Sequence, residues 1–217
     1  MKEFETAKKL LDDLKINQPI IIDGGACHGS SILECLKHWP NAQIYAFEAR
    51  PDLSKKLDNK FKSQSNVHIY NQLLGEKNEV MNFHVTSEFG TGSVLPPSAR
   101  AQNYHKGLLD VVNVIRLDCV NLDDSFSNVD LIKLDIHGAE LPTLQGSLRL
   151  LPQMKVLIIE MLFFESFVGQ APFYKLSEFL YGQKFELFNF FNLASHPSGK
   201  LGGGDVIFTN TRFFPNV

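Results

Sequence analysis

The chain has little of what would place it in several large protein classes. Its apolar runs are only strand-length and are broken by Asp, Glu or Gly, so none suits a membrane-spanning helix. The opening MKEFETAKKLLDDLK is charged throughout and has no apolar signal core. Cysteine is scarce and odd in number: Cys27, Cys35 and Cys119 lie in or beside apolar runs, which fits reduced thiols better than a disulfide framework. Neither sign of charge dominates, since 21 Lys and Arg stand against 24 Asp and Glu. No basic stripe could neutralise phosphates, which argues against nucleic acid as a partner. Repeats, linkers and dense His/Cys metal motifs are missing too. The expectation is a soluble, cytoplasmic protein with no membrane partner.

What is present is 217 residues, 44% hydrophobic, enough for one sizeable core. Phe4, Ala7, Leu11 and Leu14 fall near helical spacing, so residues 1–18 read as an amphipathic helix packed on a single domain of residues 19–217. The β-branched run Pro19 to Asp23 reads as a strand buried on both faces, followed by the turn Gly24 to Gly29 and a helix from Ser30. Gln43 to Glu48 repeats the strand, and Pro51 opens the next helix. Further strands are expected at 67–70, 81–85, 131–136, 156–161, 185–190 and 205–209, with helices at 139–150 and 173–180. This alternation predicts a doubly wound α/β domain with a mostly parallel sheet covered on both faces. Residues 89–109 read as an insertion or a loop over a site.

Ligands of such sheets sit beyond the carboxyl ends of the strands. The first turn, Gly24-Gly25-Ala26-Cys27-His28-Gly29, breaks the spacing of a dinucleotide fingerprint and is preceded by Asp23. An acid there would repel pyrophosphate and favour a ligand with an ammonium or sulfonium group, such as S-adenosylmethionine. Glu48 ends the second strand about 20 residues beyond the turn, where a carboxylate accepts ribose hydroxyls. Asn71, Gln72 and Leu73 follow the third strand, within reach of an adenine.

In Asp130 to Glu140, period two puts Lys133, Asp135 and His137 on one face. A lysine inside a buried strand requires a partner, so these residues form either a structural ion cluster or a network leading to the ligand crevice. Glu160 ends a further strand, making four carboxylates, Asp23, Glu48, Asp135 and Glu160, at or near strand ends. Asp135, His137, Glu140 and Glu160 could also hold a divalent metal, although no metal is predicted. His28 is read either as lining the pocket or as facing solvent, and His105 and His196 as surface residues.

Asp23 to Gly29, Tyr45-Ala46-Phe47-Glu48, Gly92-Ser93-Val94-Leu95 and Ile132-Lys133-Leu134-Asp135-Ile136-His137-Gly138-Ala139-Glu140 together resemble the FkbM family of S-adenosylmethionine-dependent methyltransferases over residues 20–210. The resemblance implies a Rossmann-like class I methyltransferase fold of seven strands, the last antiparallel. It also implies methyl transfer to an oxygen of a sugar or natural product. The chain departs from the family at Cys27-His28, at Ala49 where the family has Pro, and at His137 where it has Glu.

The candidate cofactor residues are therefore Asp23, Gly25, Ala26, Gly29, Glu48, Ala49, Gln72, Leu73 and Asp135. The candidate catalytic residues are His137 as base, with Asp135 and Glu160 beside it, and the segments 89–109 and 192–204 as walls for a small hydroxyl-bearing acceptor. A homodimer is compatible with this reading. Its rivals are a nicotinamide- or nucleotide-sugar-dependent enzyme on the same sheet, and a nucleoside-binding module without catalysis.

Overall fold

The computed structural model describes residues 1–88, 90–104, 107–195 and 199–215. His105 and His196 lie outside the described residues. The chain opens with α1 (Lys2–Asp13), β1 (Ile20–Gly24), α2 (Ser30–His38), β2 (Gln43–Phe47), α3 (Pro51–Phe61) and β3 (Val67–Tyr70). It continues with β4 (Leu73–Leu74), β5 (Glu79–Thr86), β6 (Gly92–Ser93), α4 (Ala99–Tyr104), β7 (Val111–Val120) and α5 (Leu122–Ser125). The last elements are β8 (Leu131–Leu134), α6 (Glu140–Gln145), β9 (Val156–Leu162), α7 (Phe173–Gly182), β10 (Phe185–Ser195) and β11 (Leu201–Asn210).

Seven strands form one sheet in the order β10-β11-β9-β8-β1-β2-β3. All neighbours pair in parallel except β11, which runs antiparallel to both β9 and β10. Alternation along the buried strands divides the core between two faces. Ile21, Leu131, Val156 and Ile158 pack with Phe4, Ala7 and Leu11 of α1, Ile32 of α2 and Leu57 of α3. Ile22, Ile132, Leu157 and Ile159 pack with Leu144 of α6 and Leu176 and Leu180 of α7. Among the described residues no helix is long and apolar enough to cross a membrane.

The structure corrects the expected elements in one region. The strand expected at 81–85 is β5, and it belongs to a separate four-stranded sheet in the order β4-β7-β5-β6. Its long partner β7 pairs antiparallel with it from Glu79↔Cys119 to Thr86↔Val111. Val111, Val112 and Val114 are exposed there, and Asn113, Arg116 and Asp118 interrupt the apolar residues, so the segment carries no long apolar run to mark it as a buried strand. Part of 89–109 is ordered as β6 and α4. The helix expected at 139–150 is short, ending at Gly146, whose N–H bonds the carbonyl of Pro142.

The first turn leaves the main sheet at the carboxyl end of β1, beside its paired neighbour β8. Gly25 has φ +81, and a Cβ there would stand 1.9 Å from the Asp135 carbonyl oxygen. Only glycine accommodates both the left-handed backbone and this approach. Gly25→Ala is expected to lower unfolding free energy by about 2 kcal/mol or more, read as a reduced urea midpoint.

Candidate active site

The residues singled out from the sequence separate into an enclosed layer and a cavity lining. Asp23, expected to face a ligand's amine, is fully buried instead. Its Oδ2 accepts the Ser31 hydroxyl from the first turn of α2, and its Oδ1 has no hydrogen-bond partner but lies 3.9 Å from Lys133 Nζ. Asp23 and Lys133 are direct register partners on β1 and β8, so the acid answers the lysine and does not line the cavity over the strand ends. Ala26 is also enclosed, packed in the core. Gly29 is the left-handed N-cap of α2, pressed against Leu57 and Phe61, and likewise stands off the cavity. His28 is exposed.

A cavity of about 270 Å³ lies over the strand ends. Its lining includes Gly25, Glu48, Ala49, Gln72, Leu73 and Asp135, six of the nine residues proposed for a cofactor. Glu48 caps the first turn: Oε2 accepts the Cys27 N–H at 2.7 Å, and Oε1 accepts the Arg50 N–H at 2.8 Å. Each oxygen keeps a further acceptor site, the arrangement a vicinal diol requires. Burial pushes the Glu48 carboxyl up, against those two backbone hydrogen bonds. Asn71 is used differently from the expected adenine contact, donating its amide to the carbonyls of Glu48 and Ala49 at 2.8 and 2.9 Å. The second sheet supplies Leu73, expected from the sequence, together with Leu74, Phe83 and Gly92, which were not expected to line a site and come together only through the pairing of β4, β7, β5 and β6.

Lys133, Asp135 and His137 do share one face. Lys133 Nζ donates to Asp135 Oδ2 at 3.0 Å. Burial acts to lower the Lys133 ammonium, but the charges of Asp135 and Asp23 outweigh it and raise it. Burial also acts to raise Asp135, yet Lys133 and His137 hold it well below the usual carboxylate range. His137 has a left-handed backbone, φ +52, and is held by β6. Its carbonyl accepts the Ser93 hydroxyl at 2.6 Å, and its Nδ1 lies 3.2 Å from the Gly92 carbonyl oxygen. A carbonyl only accepts, so Nδ1 carries the proton and a neutral ring presents a bare Nε2. That Nε2 stands 3.6 Å from both Asp135 Oδ1 and Glu160 Oε2. Phe167 stacks on the ring at 5.6 Å.

Glu160 sits within β9 and not at its end. Burial and the neighbouring Asp135 charge push its carboxyl well up, whereas Lys133 and His137 hold Asp135 down. The ligand atoms of Asp135, His137 and Glu160 lie within 4.8 Å of one another. One imidazole and two carboxylates form a donor set that a divalent cation accepts. Glu140 does not join them. Its carboxylate accepts the N–H groups of Gly138 at 2.9 Å and Ile136 at 3.2 Å, capping the turn that carries His137.

His137 and Glu160 also border a second cavity of about 480 Å³. It is lined by Phe164 and Phe167 and by Asn192, Ser195 and Asp205 on β10 and β11. Asn192 and Ser195 fall in a segment expected as an acceptor wall, whereas Phe167 and Asp205 carried no local signal.

The strand order with its reversed β11, the acid closing β2 and the cavity over the sheet's carboxyl edge define a class I methyltransferase fold. Residues 23–191 match the methyltransferase FkbM domain, and the chain belongs to that family. It is 25% identical over 233 residues to the 2-O-methyltransferase NoeI of Sinorhizobium fredii (strain NBRC 101917 / NGR234), covering 98% of this chain and 92% of NoeI. The structure of methyltransferase FkbM from Methylobacillus flagellatus KT superposes with a TM-score of 0.58 at 14% identity, covering 88% of this chain but 44% of that one. Streptococcus pneumoniae Sp1610, a putative tRNA (m1A22) methyltransferase in complex with S-adenosyl-L-methionine, gives 0.52 at 11% identity, covering 97% of this chain and 72% of that one.

Two outcomes test the electrostatics. Lys133→Met leaves Asp23 and Asp135 facing each other without a cation and is expected to cost about 3–5 kcal/mol of stability by denaturant titration. A carboxyl raised in the folded state contributes stability at low pH that is lost as pH rises through its folded value. Relative to Glu160→Gln, the native protein should therefore lose stability as pH rises above the ordinary glutamate value of 4.5, read from paired unfolding midpoints.

Proposed function

We propose that this protein transfers a methyl group from S-adenosylmethionine to a hydroxyl of a small molecule, a sugar or natural product. The observation that carries the reading is the position of His137 and Glu160 on the wall shared by the two cavities. Similarity to NoeI, a 2-O-methyltransferase, supports an oxygen acceptor. The free thiols of Cys27, Cys35 and Cys119 accord with a reducing, cytoplasmic setting.

The first cavity offers the chemistry a nucleoside sulfonium needs. Glu48 would hold the ribose diol, Phe47, Leu73 and Phe83 would enclose the base, and Gln72 would meet its polar edge. Asp135, ionised beside Lys133, would stand near the positive sulfur. When bound, the cofactor supplies an electrophilic methyl group. His137 Nε2 would take the acceptor's hydroxyl proton from the second cavity, and Asp135 would orient the ring and stabilise the imidazolium. Gly92, by fixing Nδ1–H, keeps the basic nitrogen turned towards the acceptor. Because the sulfonium charge disappears during transfer, alignment and exclusion of water supply much of the rate, and the proton acceptor supplies the remainder.

Calorimetric titration with S-adenosylhomocysteine, with NAD alongside, tests the reading. Micromolar binding of S-adenosylhomocysteine, weakened about tenfold or more in Glu48→Ala, is expected, because that variant removes both diol acceptors. Preference for NAD would overturn the assignment. With a hydroxyl acceptor, His137→Asn should lower kcat about 100-fold while leaving S-adenosylhomocysteine affinity unchanged, and a chelator should leave the rate unchanged. Binding without turnover of any hydroxyl acceptor would identify a nucleoside-binding module.

A further inference from the structure

The second cavity carries an electrostatic signature that goes further than the presence of an acceptor. Its described lining contains the carboxylates of Glu88, Glu160 and Asp205 and no lysine or arginine. Arg100 stacks over the Phe164 ring at 5.5 Å without lining the cavity.

Asp205 and Glu160 are direct register partners across β11 and β9, so two carboxyl groups stand opposite each other on this wall. A third acid stands behind them. The Asn192 amide donates to Asp205 Oδ2 at 2.6 Å and to Glu3 Oε2 at 3.1 Å, so two carboxylates share a single neutral donor. Glu3 comes from α1 and is 2% exposed. Among the described residues neither Glu3 nor Asp205 forms an ion pair. Burial, together with the Glu3 charge, pushes the Asp205 carboxyl up against the Asn192 hydrogen bond. A cation beside Asp205 would relieve this strain, and an anion would add to it.

Across the cavity, Phe164 and Phe167 present apolar faces, while the Ser166 and Ser195 side chains add neutral polar groups. Apolar walls with a few placed polar groups suit a ring that has one C–H face and a hydroxylated rim.

We propose that this cavity takes the acceptor as a hydroxylated ring without any anionic group, and that Asp205 favours an amino substituent on that ring. The inference rests on the methyltransferase reading of the site. It excludes phosphorylated and carboxylated acceptors, nucleic acid among them, because each would bring a negative charge against Asp205, which forms no ion pair among the described residues.

The test is saturation-transfer NMR on the full chain loaded with S-adenosylhomocysteine, using methyl glucoside, glucosamine, glucuronate and glucose 6-phosphate as probes. Methyl glucoside and glucosamine should receive saturation and the two anions should not. Asp205→Asn, nearly isosteric, should weaken glucosamine about tenfold relative to methyl glucoside while S-adenosylhomocysteine still binds. Binding of either anion as strong as that of the neutral sugar overturns the proposal. So does S-adenosylhomocysteine binding with no sugar bound, or an Asp205→Asn variant that treats the two sugars as the native protein does. Failure of S-adenosylhomocysteine itself to bind would instead remove the methyltransferase reading.

Discussion

A single buried ammonium governs the charge of this site. Lys133 reaches Asp135 at 3.0 Å and faces Asp23 at 3.9 Å, joining the ends of β8 and β1 where the sheet opens. Burying one lysine between two acids is a poor way to gain stability, because desolvation offsets the attraction. Its consequence is specificity of charge. Asp135 is held low and Glu160, next to it, is pushed up, so the carboxyls that flank His137 are unlike although both belong to the same wall. Two acids placed close together raise one another's pKa, and the lysine, bonded to Asp135, favours the charge there.

The second constraint is geometric. His137 stands in a left-handed conformation that a non-glycine residue adopts only when its surroundings hold it. The Gly92 carbonyl binds its ring, the Ser93 hydroxyl binds its carbonyl, and Glu140 caps the amides on either side. The small second sheet thus does more than roof the cavity: through β6 it selects which imidazole nitrogen is bare. The result is an imidazole whose Nε2 stands between two carboxyls.

Much of the frame was legible from local pattern. Apolar runs such as Ile20 to Ile22 and Val156 to Ile159 can only be buried on both faces, and the helices between them carry an apolar stripe each, so a doubly wound sheet follows. Lys133, Asp135 and His137 were legible as a set because a strand brings alternate residues to one face. The sheet of β4 to β7 was not, since β7 exposes valines and polar residues alike and finds its partner only after residues 75–110 have folded back. Asp23 was misplaced for a related reason: a strand-end acid looks the same in sequence whether it faces a ligand or a lysine on the neighbouring strand.

The amino-acid sequence by itself determined the fold class, the glycine turn with its acid at Glu48, and the grouping of Lys133, Asp135 and His137 on one face, because these depend on short spacings and on periodicity. Tertiary structure alone decided what each charge sees. Asp23 turned inward to Lys133, Glu160 came beside Asp135, and Asp205 met both Glu160 and the distant Glu3 through Asn192. Charge interacts through space, and the distances that set it are fixed by strand register and helix packing between residues far apart in the chain.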